Sequence, residues 1–582
     1  MGVQIHGDRR VFWLSTVTIL AFAVMIARLF YVQVLEHDFY VKLADKEQIK
    51  QFTLRASRGE IYAMDGDTPV KLVMNTTVYT VWADPTLVTD KQKVIEVMNR
   101  VAGGNVRKDF GKYLDTKNSR YQVLATKVTR TQAEKIKSEK LAGIGFDAST
   151  QRVYPEGALA SQVLGFVNSK GQGKYGFEQA NDEALSGKNG ELKTVTDVRD
   201  VPLTVTDKNI KRPAVNGKNM VLTIDRNIQS KVEEALAAGV SRSGATRASA
   251  IVMEPQTGKV LAMANAPTYD PSNLNVKDVA VFNNNTISNP YEPGSDIKTF
   301  TVATGVDRGV ITPESTYDNT GKIKVEDIVV NNATKNAAVT GTITMQTALN
   351  WSLNTGMVTI AQRLGNGTYI TRSARDTIYS YFHDKLRMGE LTGIELANEA
   401  KGTIVSPQQQ EGNAVRYSNM VFGQGMNVTM LQVASGFCAI VNGGLYRAPT
   451  VLGGTIDDNG VFTAAAAKPQ ERVITEATSN TVREMVHQSH YATYNPKDGS
   501  ERFLIGGKTG TSETIVNGKY VSNQTVGTYL GYGGEKGQIP RYVIMIEIAA
   551  SGKDMGGGSD AKPIFNDISN WMVNYLMLTP QG

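Results

Sequence analysis

Tyr291-Glu292-Pro293-Gly294-Ser295-Asp296-Ile297-Lys298-Thr299-Phe300 is the stretch around which the rest of the chain is organised. Pro293 and Gly294 make a turn that ends one element and begins a helix. Ser295 then stands at the mouth of that helix, with Lys298 one turn further along the same face. A serine hydroxyl is a poor nucleophile at neutral pH until a base removes its proton, and a lysine serves as that base when burial or a second cation favours its neutral form. The Ser-x-x-Lys spacing supplies both groups from a single helical turn.

The spacing by itself has little specificity, because the chain holds a second copy at Ser559 and Lys562. That copy follows a glycine run, Gly556 to Gly558, and Pro563 comes directly after Lys562, so its lysine is expected in a loop rather than inside a helix. Two further motifs favour the first copy. Trp351-Ser352-Leu353-Asn354 supplies a Ser-x-Asn triplet, and Gly507-Lys508-Thr509-Gly510-Thr511 holds the only Lys-Thr-Gly in the chain. Ser352 lies 57 residues after Ser295 and Lys508 a further 156 residues on, room enough for an inserted helical lobe.

Ser-x-x-Lys, Ser-x-Asn and Lys-Thr-Gly in this order resemble the penicillin-binding proteins and serine β-lactamases. The resemblance implies that Ser295 attacks a carbonyl and forms an acyl-enzyme, that Lys298 takes its proton, and that Ser352 relays a proton to the leaving amine. It implies also that Asn354 binds the substrate amide, that Thr509, Gly510 and Thr511 form the strand that holds the substrate's terminal carboxylate, and that the N–H groups of Ser295 and Thr511 form the oxyanion hole. Lys508 would add a positive charge that attracts the carboxylate and favours a neutral Lys298. No cofactor or metal is implied.

A length of 582 residues predicts two or three domains. With 41% hydrophobic and 20% charged residues the composition is that of a globular protein, and a net charge of +6 without a basic tract gives no footprint for nucleic acid. Residues 11 to 27 carry no charge, and after Arg28 the apolar character resumes to Leu35. Residues 11–35 are therefore expected as one uncleaved transmembrane anchor, with a cytoplasmic tail at 1–10 containing Arg9 and Arg10 and the bulk of the chain outside the cytoplasmic membrane. The single cysteine, Cys438, precludes an intramolecular disulfide and reads as helix core. His487 and His490 have helix spacing but no acidic or cysteine partner nearby, and are expected as solvated helix residues rather than metal ligands.

Residues 36–215 show a mixed pattern, with strands at Phe52–Leu54 and Val78–Trp82 and a helix over Lys91–Val101. Arg58-Gly59-Glu60-Ile61, Arg152-Val153-Tyr154-Pro155 and Tyr175-Gly176-Phe177-Glu178 resemble the pedestal, or dimerisation, domain of class B penicillin-binding proteins. Ala63 and Met64 stand where that family carries Asp-Arg. Arg152 and Glu178 are expected as a partly buried structural pair. From 216 onward the texture changes: a strand at Asn219–Ile224, a helix capped by Asp225 and running to Ala238, a hairpin of Ala250–Met253 with Val260–Ala264, then strands at Lys508, Thr525–Tyr532 and Tyr542–Ile548, and a closing helix over 562–577. The expected fold class is α/β (α+β): an antiparallel sheet flanked by helices in a transpeptidase domain, 216–582, preceded by an elongated α+β pedestal and one transmembrane helix.

An anchored chain with a pedestal and no glycosyltransferase domain resembles the class B monofunctional peptidoglycan D,D-transpeptidases, the FtsI-like division enzymes in particular. The implied ligands are the D-Ala-D-Ala end of peptidoglycan stem peptides and β-lactams. The implied partners are a membrane glycosyltransferase of the FtsW/RodA type and other cell-wall synthesis proteins. Three alternatives share parts of the pattern: an elongation-type transpeptidase, a β-lactamase, which needs a base for a deacylating water, and a non-enzymatic scaffold, which has no use for a competent residue at every motif position.

Overall fold

The computed structural model describes residues 9–40, 49–116, 118–195, 210–333, 336, 339–494, 500–516 and 519–581. Most of the expected tail at 1–10 lies outside them. The chain divides into two compact units, one of residues 1–58 and 187–217, the other of 59–186 and 218–582.

In the first unit Arg9–Phe30 is a continuous α-helix, extended by a π-helical turn, Tyr31–Leu35, with no residue buried. Arg9–Leu35 is apolar and, at 27 residues, long enough to cross a bilayer. Strands Ile49–Leu54, Gly190–Val195 and Ile210–Arg212 pair antiparallel in a small sheet.

The second unit contains two larger sheets. In the seven-stranded one, Ile61–Asp65 turns at Gly66 into the long strand Thr68–Ala83, which pairs with both Gln122–Thr129 and Ile144–Val153. The expected helix Lys91–Val101 is present; Asp90 caps it by accepting from the Lys93 N–H, and Val94, Val97 and Met98 face inward. Arg152 and Glu178 pair at 2.8 Å and are almost wholly buried, with Asn75 accepting a further guanidinium hydrogen. Asn219–Asp225 runs parallel to Ile61–Asp65, so residues from beyond the texture change near 216 complete a sheet begun by residues 61–83. That long-range pairing leaves no local trace in the sequence.

The five-stranded sheet carries the Lys-Thr-Gly motif. We number its strands β1 (Arg247–Met253), β2 (Val260–Ala266), β3 (Leu504–Val516), β4 (Lys519–Gly534) and β5 (Tyr542–Ala549); their spatial order is β2-β1-β5-β4-β3 and all pairs are antiparallel. Every residue of β5 is buried, as a central strand covered on both faces requires. Alternate residues serve different cores: Ile544, Ile546 and Ile548 pack with α1 (Arg226–Ser243) and the C-terminal helix Lys562–Tyr575, whereas Val543 and Met545 join the core that contains Phe300 and Phe437. Asp225 caps α1 as expected, accepting from the Asn227 and Ile228 N–H groups at 2.9 and 3.0 Å. The helix continues past Ala238 to Ser243, because Gly239 lies under Ile564 and the left-handed stop comes only at Gly244.

Candidate active site

Pro293 and Gly294 make the expected turn, with Gly294 at φ +59°. Ser295 lies in a 3-10 turn, Gly294–Ile297, and regular α-helix, α2 (Lys298–Asp307), begins only at Lys298. Lys298 is 1% exposed. Its Nζ donates to the Ser352 carbonyl at 2.6 Å and to Asn354 Oδ1 at 2.7 Å, and lies 3.1 Å from Ser352 Oγ. Lys508, on β3, reaches the same hydroxyl at 2.9 Å and its neighbour's carbonyl, Thr509 O, at 2.9 Å. Ser352 Oγ thus sits between two lysine nitrogens contributed by residues 54 and 156 positions away. A hydroxyl has two lone pairs and one hydrogen, so with both lone pairs engaged its proton is left to point elsewhere.

Ser352 takes this place at some backbone cost, with φ +54° in the left-handed region. It ends a short helix, Met345–Asn350, and two residues later α3 (Asn354–Arg363) begins. Asn354 is oriented from both ends: its oxygen accepts from Lys298 and its nitrogen donates to Asn331 O at 2.9 Å.

A cavity of about 190 Å³ opens over these groups. Ser295, Lys298, Ser352, Asn354, Thr509 and Thr511, all expected from the motifs, line it together. Lys508 enters through Ser352, and Gly510 turns away: a Cβ there would collide with Thr528 Oγ1 and come within 3.0 Å of Asp296 Oδ2. The nucleophile turn abuts the motif strand directly, since a Cβ on Gly294 would lie 2.9 Å from Thr511 O and 3.3 Å from Thr511 N. The N–H groups of Ser295 and Thr511 therefore belong to touching segments.

Five lining residues were not anticipated: Gly294, Ala333, Asn336, Phe422 and Gln424. Gly423, between the last two, accepts from the Gly294 N–H at 3.0 Å, and a Cβ on Gly423 (φ +95°) would collide with Gly294 O. Glu292 fixes the far side of that loop by accepting from the Gly425 N–H at 2.7 Å and from Tyr520 OH at 3.2 Å. Burial holds the Glu292 carboxyl above the usual range, against the pull of those two donors. The Gly423-Gln424-Gly425 pair of glycines was the available sequence signal; Asn336 carried none.

Two expectations outside the site are corrected. His490 is not solvated, being 3% exposed with Nδ1 2.7 Å from Tyr529 OH, and His487 is only partly exposed, its Nδ1 2.7 Å from Ile505 O, both on helix Glu476–Tyr494 where it packs on the sheet. Lys562 is not in a loop but starts the C-terminal helix, where Pro563 is tolerated because the first-turn N–H has no intrahelical acceptor. Cys438 is buried in helix Met430–Val441, and burial pushes its thiol pKa up.

With this geometry in view, comparison with known proteins is direct. The penicillin binding protein transpeptidase domain family matches residues 248–570, more than half of the chain, and the penicillin-binding protein dimerisation domain matches 53–222. The chain belongs to the penicillin-binding protein transpeptidase family. Among curated relatives it is 29% identical to the peptidoglycan D,D-transpeptidase FtsI of Escherichia coli K12, over 97% of this chain and 91% of that one. It is 29% identical to penicillin-binding protein PbpB of Mycolicibacterium smegmatis, over 78% of this chain and 69% of that one. Penicillin binding protein 2X of Streptococcus thermophilus shares the fold, with a TM-score of 0.72 at 23% identity, over 91% of this chain and 80% of that chain.

Proposed function

We propose that this chain is a peptidoglycan D,D-transpeptidase that cross-links stem peptides through an acyl-enzyme on Ser295, and that it works at the division septum. The observation that carries the reading is the convergence of Lys298 and Lys508 on one hydroxyl, Ser352 Oγ, at the edge of a cavity that Ser295 also lines.

Ser295 Oγ attacks the carbonyl of the D-Ala-D-Ala bond as its proton passes to Lys298; burial and a neighbouring cation both favour the proton-accepting form of an amine. The oxyanion that forms is held by the N–H groups of Ser295 and Thr511. As the C–N bond breaks, the departing D-Ala nitrogen takes a proton through Ser352, which Lys298 resupplies. Asn354 orients the peptide amide, and Lys508 with Thr509 and Thr511 binds the terminal carboxylate. An amine from a neighbouring stem peptide then attacks the acyl-enzyme, regenerating the Ser295 hydroxyl and completing the cross-link.

A β-lactam acylates the same serine, but its opened ring stays attached and blocks the acceptor. The apolar helix at Arg9–Leu35 serves as a single-pass anchor with the catalytic unit outside the cytoplasmic membrane, 36–215 as the pedestal and 216–582 as the transpeptidase domain. A membrane glycosyltransferase of the FtsW/RodA type and other cell-wall synthesis proteins are the partners this arrangement suits.

The test is stopped-flow acylation by a fluorescent penicillin, followed by dilution and mass spectrometry of the labelled peptide. An adduct on Ser295 that persists for minutes supports the reading. Release within about a second would make the chain a β-lactamase, with a water-activating base that a transpeptidase lacks.

A further inference from the structure

Directly after the nucleophile, Asp296 points the opposite way, into the protein, and is fully buried. Among the described residues neither of its carboxyl oxygens has a hydrogen-bond partner of normal geometry. Three more buried polar atoms share that condition and that neighbourhood: Thr528 Oγ1 on β4, Glu547 Oε2 on β5 and Tyr291 OH at the start of the turn. Thr528 and Glu547 are cross-strand partners, and Thr528 pairs in turn with Gly510 of the Lys-Thr-Gly motif. The space a side chain at 510 would fill is occupied by the Asp296 carboxyl and the Thr528 hydroxyl. The missing Cβ of the motif glycine is thus what lets the nucleophile turn and the motif strand meet through polar atoms.

We propose that Asp296 is a positioning residue: as a neutral acid it fastens the turn that carries Ser295 to the Lys-Thr-Gly strand across the gap at Gly510, through hydrogen bonds that run from Asp296 to Thr528 and on to Glu547, and its ionisation undoes that chain and loosens the fastening. A neutral carboxyl has a hydrogen to donate to Thr528 Oγ1, and Thr528 can pass its own to Glu547, so one proton gives three orphaned atoms a partner. An ionised Asp296 can only accept, so the Thr528 hydrogen would have to turn to it and Glu547 Oε2 would lose its donor, while the charge itself stays buried. The consequence falls on the oxyanion hole, because the two N–H groups that form it belong to the two segments so joined.

The surrounding charges are mixed. Lys508 on β3 favours the ionised form of Asp296, as does the Thr528 hydroxyl, yet burial outweighs both and pushes the carboxyl up to about 7. Lys298 follows two residues later, at the start of α2. Glu547, itself raised by burial, is paired with Arg247 on β1 at 3.3 Å. Tyr291 stays neutral far above its usual range because it is buried near Glu547 and Asp296. Behind Gly510, the turn Gly557–Ala561 brings Asp560, bound to the Gly556 N–H and Ser559 Oγ, and Lys562 follows it. With a raised carboxyl pKa the neutral form prevails below the transition and is lost as pH rises through it, so the fastening weakens on the alkaline side.

The experiment measures the acylation rate of the full-length chain by a fluorescent penicillin from about pH 5.5 to 9.5, with thermal melting of each variant alongside. The wild-type rate is expected to fall about tenfold per pH unit above the Asp296 transition. Asp296→Asn, neutral at every pH, is expected to acylate within about threefold of wild type at low pH and to lack that fall, while Asp296→Ala is slower by about a hundredfold throughout. Should Asp296→Ala not fold, Thr528→Val gives the second reading, with an expected loss of about tenfold and a flattened profile. An Asp296→Asn profile that overlays the wild type, or an Asn variant as slow as Ala, overturns the proposal, the latter by showing that the charged form is the working one. The inference rests on Ser295 being the acylated residue: a wild type without label would remove that reading, whereas a labelled wild type overlaid by Asp296→Asn removes only this one.

Discussion

The chain carries the same four-residue spacing twice, and the two copies fold alike for several atoms before they part. Ser295 and Ser559 each sit in a tight non-α turn after glycine, and Lys298 and Lys562 each open a helix and are each buried. What differs is the company of the hydroxyl. Ser559 is exposed and donates to its neighbour Asp560 at 2.7 Å, and the turn lies behind the motif strand. Ser295 lines a cavity with Lys298 and Ser352, and Lys508 reaches the Ser352 hydroxyl from a third, distant segment. Spacing places a serine near a lysine; only tertiary structure supplies the second lysine and the relay hydroxyl.

The largest expected effect separates the copies outright. Ser295→Ala should abolish covalent penicillin labelling, a loss on the order of a millionfold in acylation rate, because a nucleophile acting within a cooperative site carries most of the rate. Gel fluorescence after incubation with the probe reads it, and a surviving band on the Ala variant would refute the assignment. Next comes Lys298→Met, which keeps the stem's bulk but removes the base and is expected to slow acylation by about a thousandfold to ten-thousandfold. Its melting temperature must be measured with the rate, since the Ser352 carbonyl and Asn354 Oδ1 each lose a donor. A rate within tenfold of wild type would assign the base elsewhere.

A smaller effect tests how the first turn is held. Gly423→Ala should destabilise by about 1–3 kcal/mol and slow labelling, since the methyl meets Gly294 O at a left-handed backbone position. Unchanged melting and labelling would mean that the loop carrying Phe422 and Gln424 does not brace the nucleophile turn.

How far the sequence led follows from the range of each interaction. Asp225 capping α1, the hairpin of β1 with β2 and the helix Lys91–Val101 were legible because cap, turn and apolar period are local. The motif residues were legible because chemistry restricts what can stand there. The parallel pairing of Asn219–Asp225 with Ile61–Asp65, the burial of His490 against Tyr529 and the entry of Asn336 into the cavity were not, since each depends on a partner tens to hundreds of residues away. Asp296 shows the limit most clearly: beside a nucleophile at a turn it reads as a surface carboxylate, and its burial becomes visible only when Gly510 and Thr528 arrive from the other end of the chain.

The smallest effect belongs to the second copy. Ser559→Ala removes one exposed hydrogen bond to Asp560, whose Oδ2 keeps the Gly556 N–H at 2.8 Å, so the cost to stability should stay within about 0.5 kcal/mol. Among the described residues no lysine nitrogen from a distant segment reaches this hydroxyl, and Ser559 does not line the cavity. Penicillin labelling of Ser559→Ala should therefore match wild type in rate and extent. The measurement is more than a control, because the turn at 557–561 packs directly against Gly510 and Thr528. A Ser559→Ala variant that melts normally yet labels slowly would show that this turn transmits to the motif strand, and the two copies would then be coupled parts of one site rather than a working pair and an accidental one.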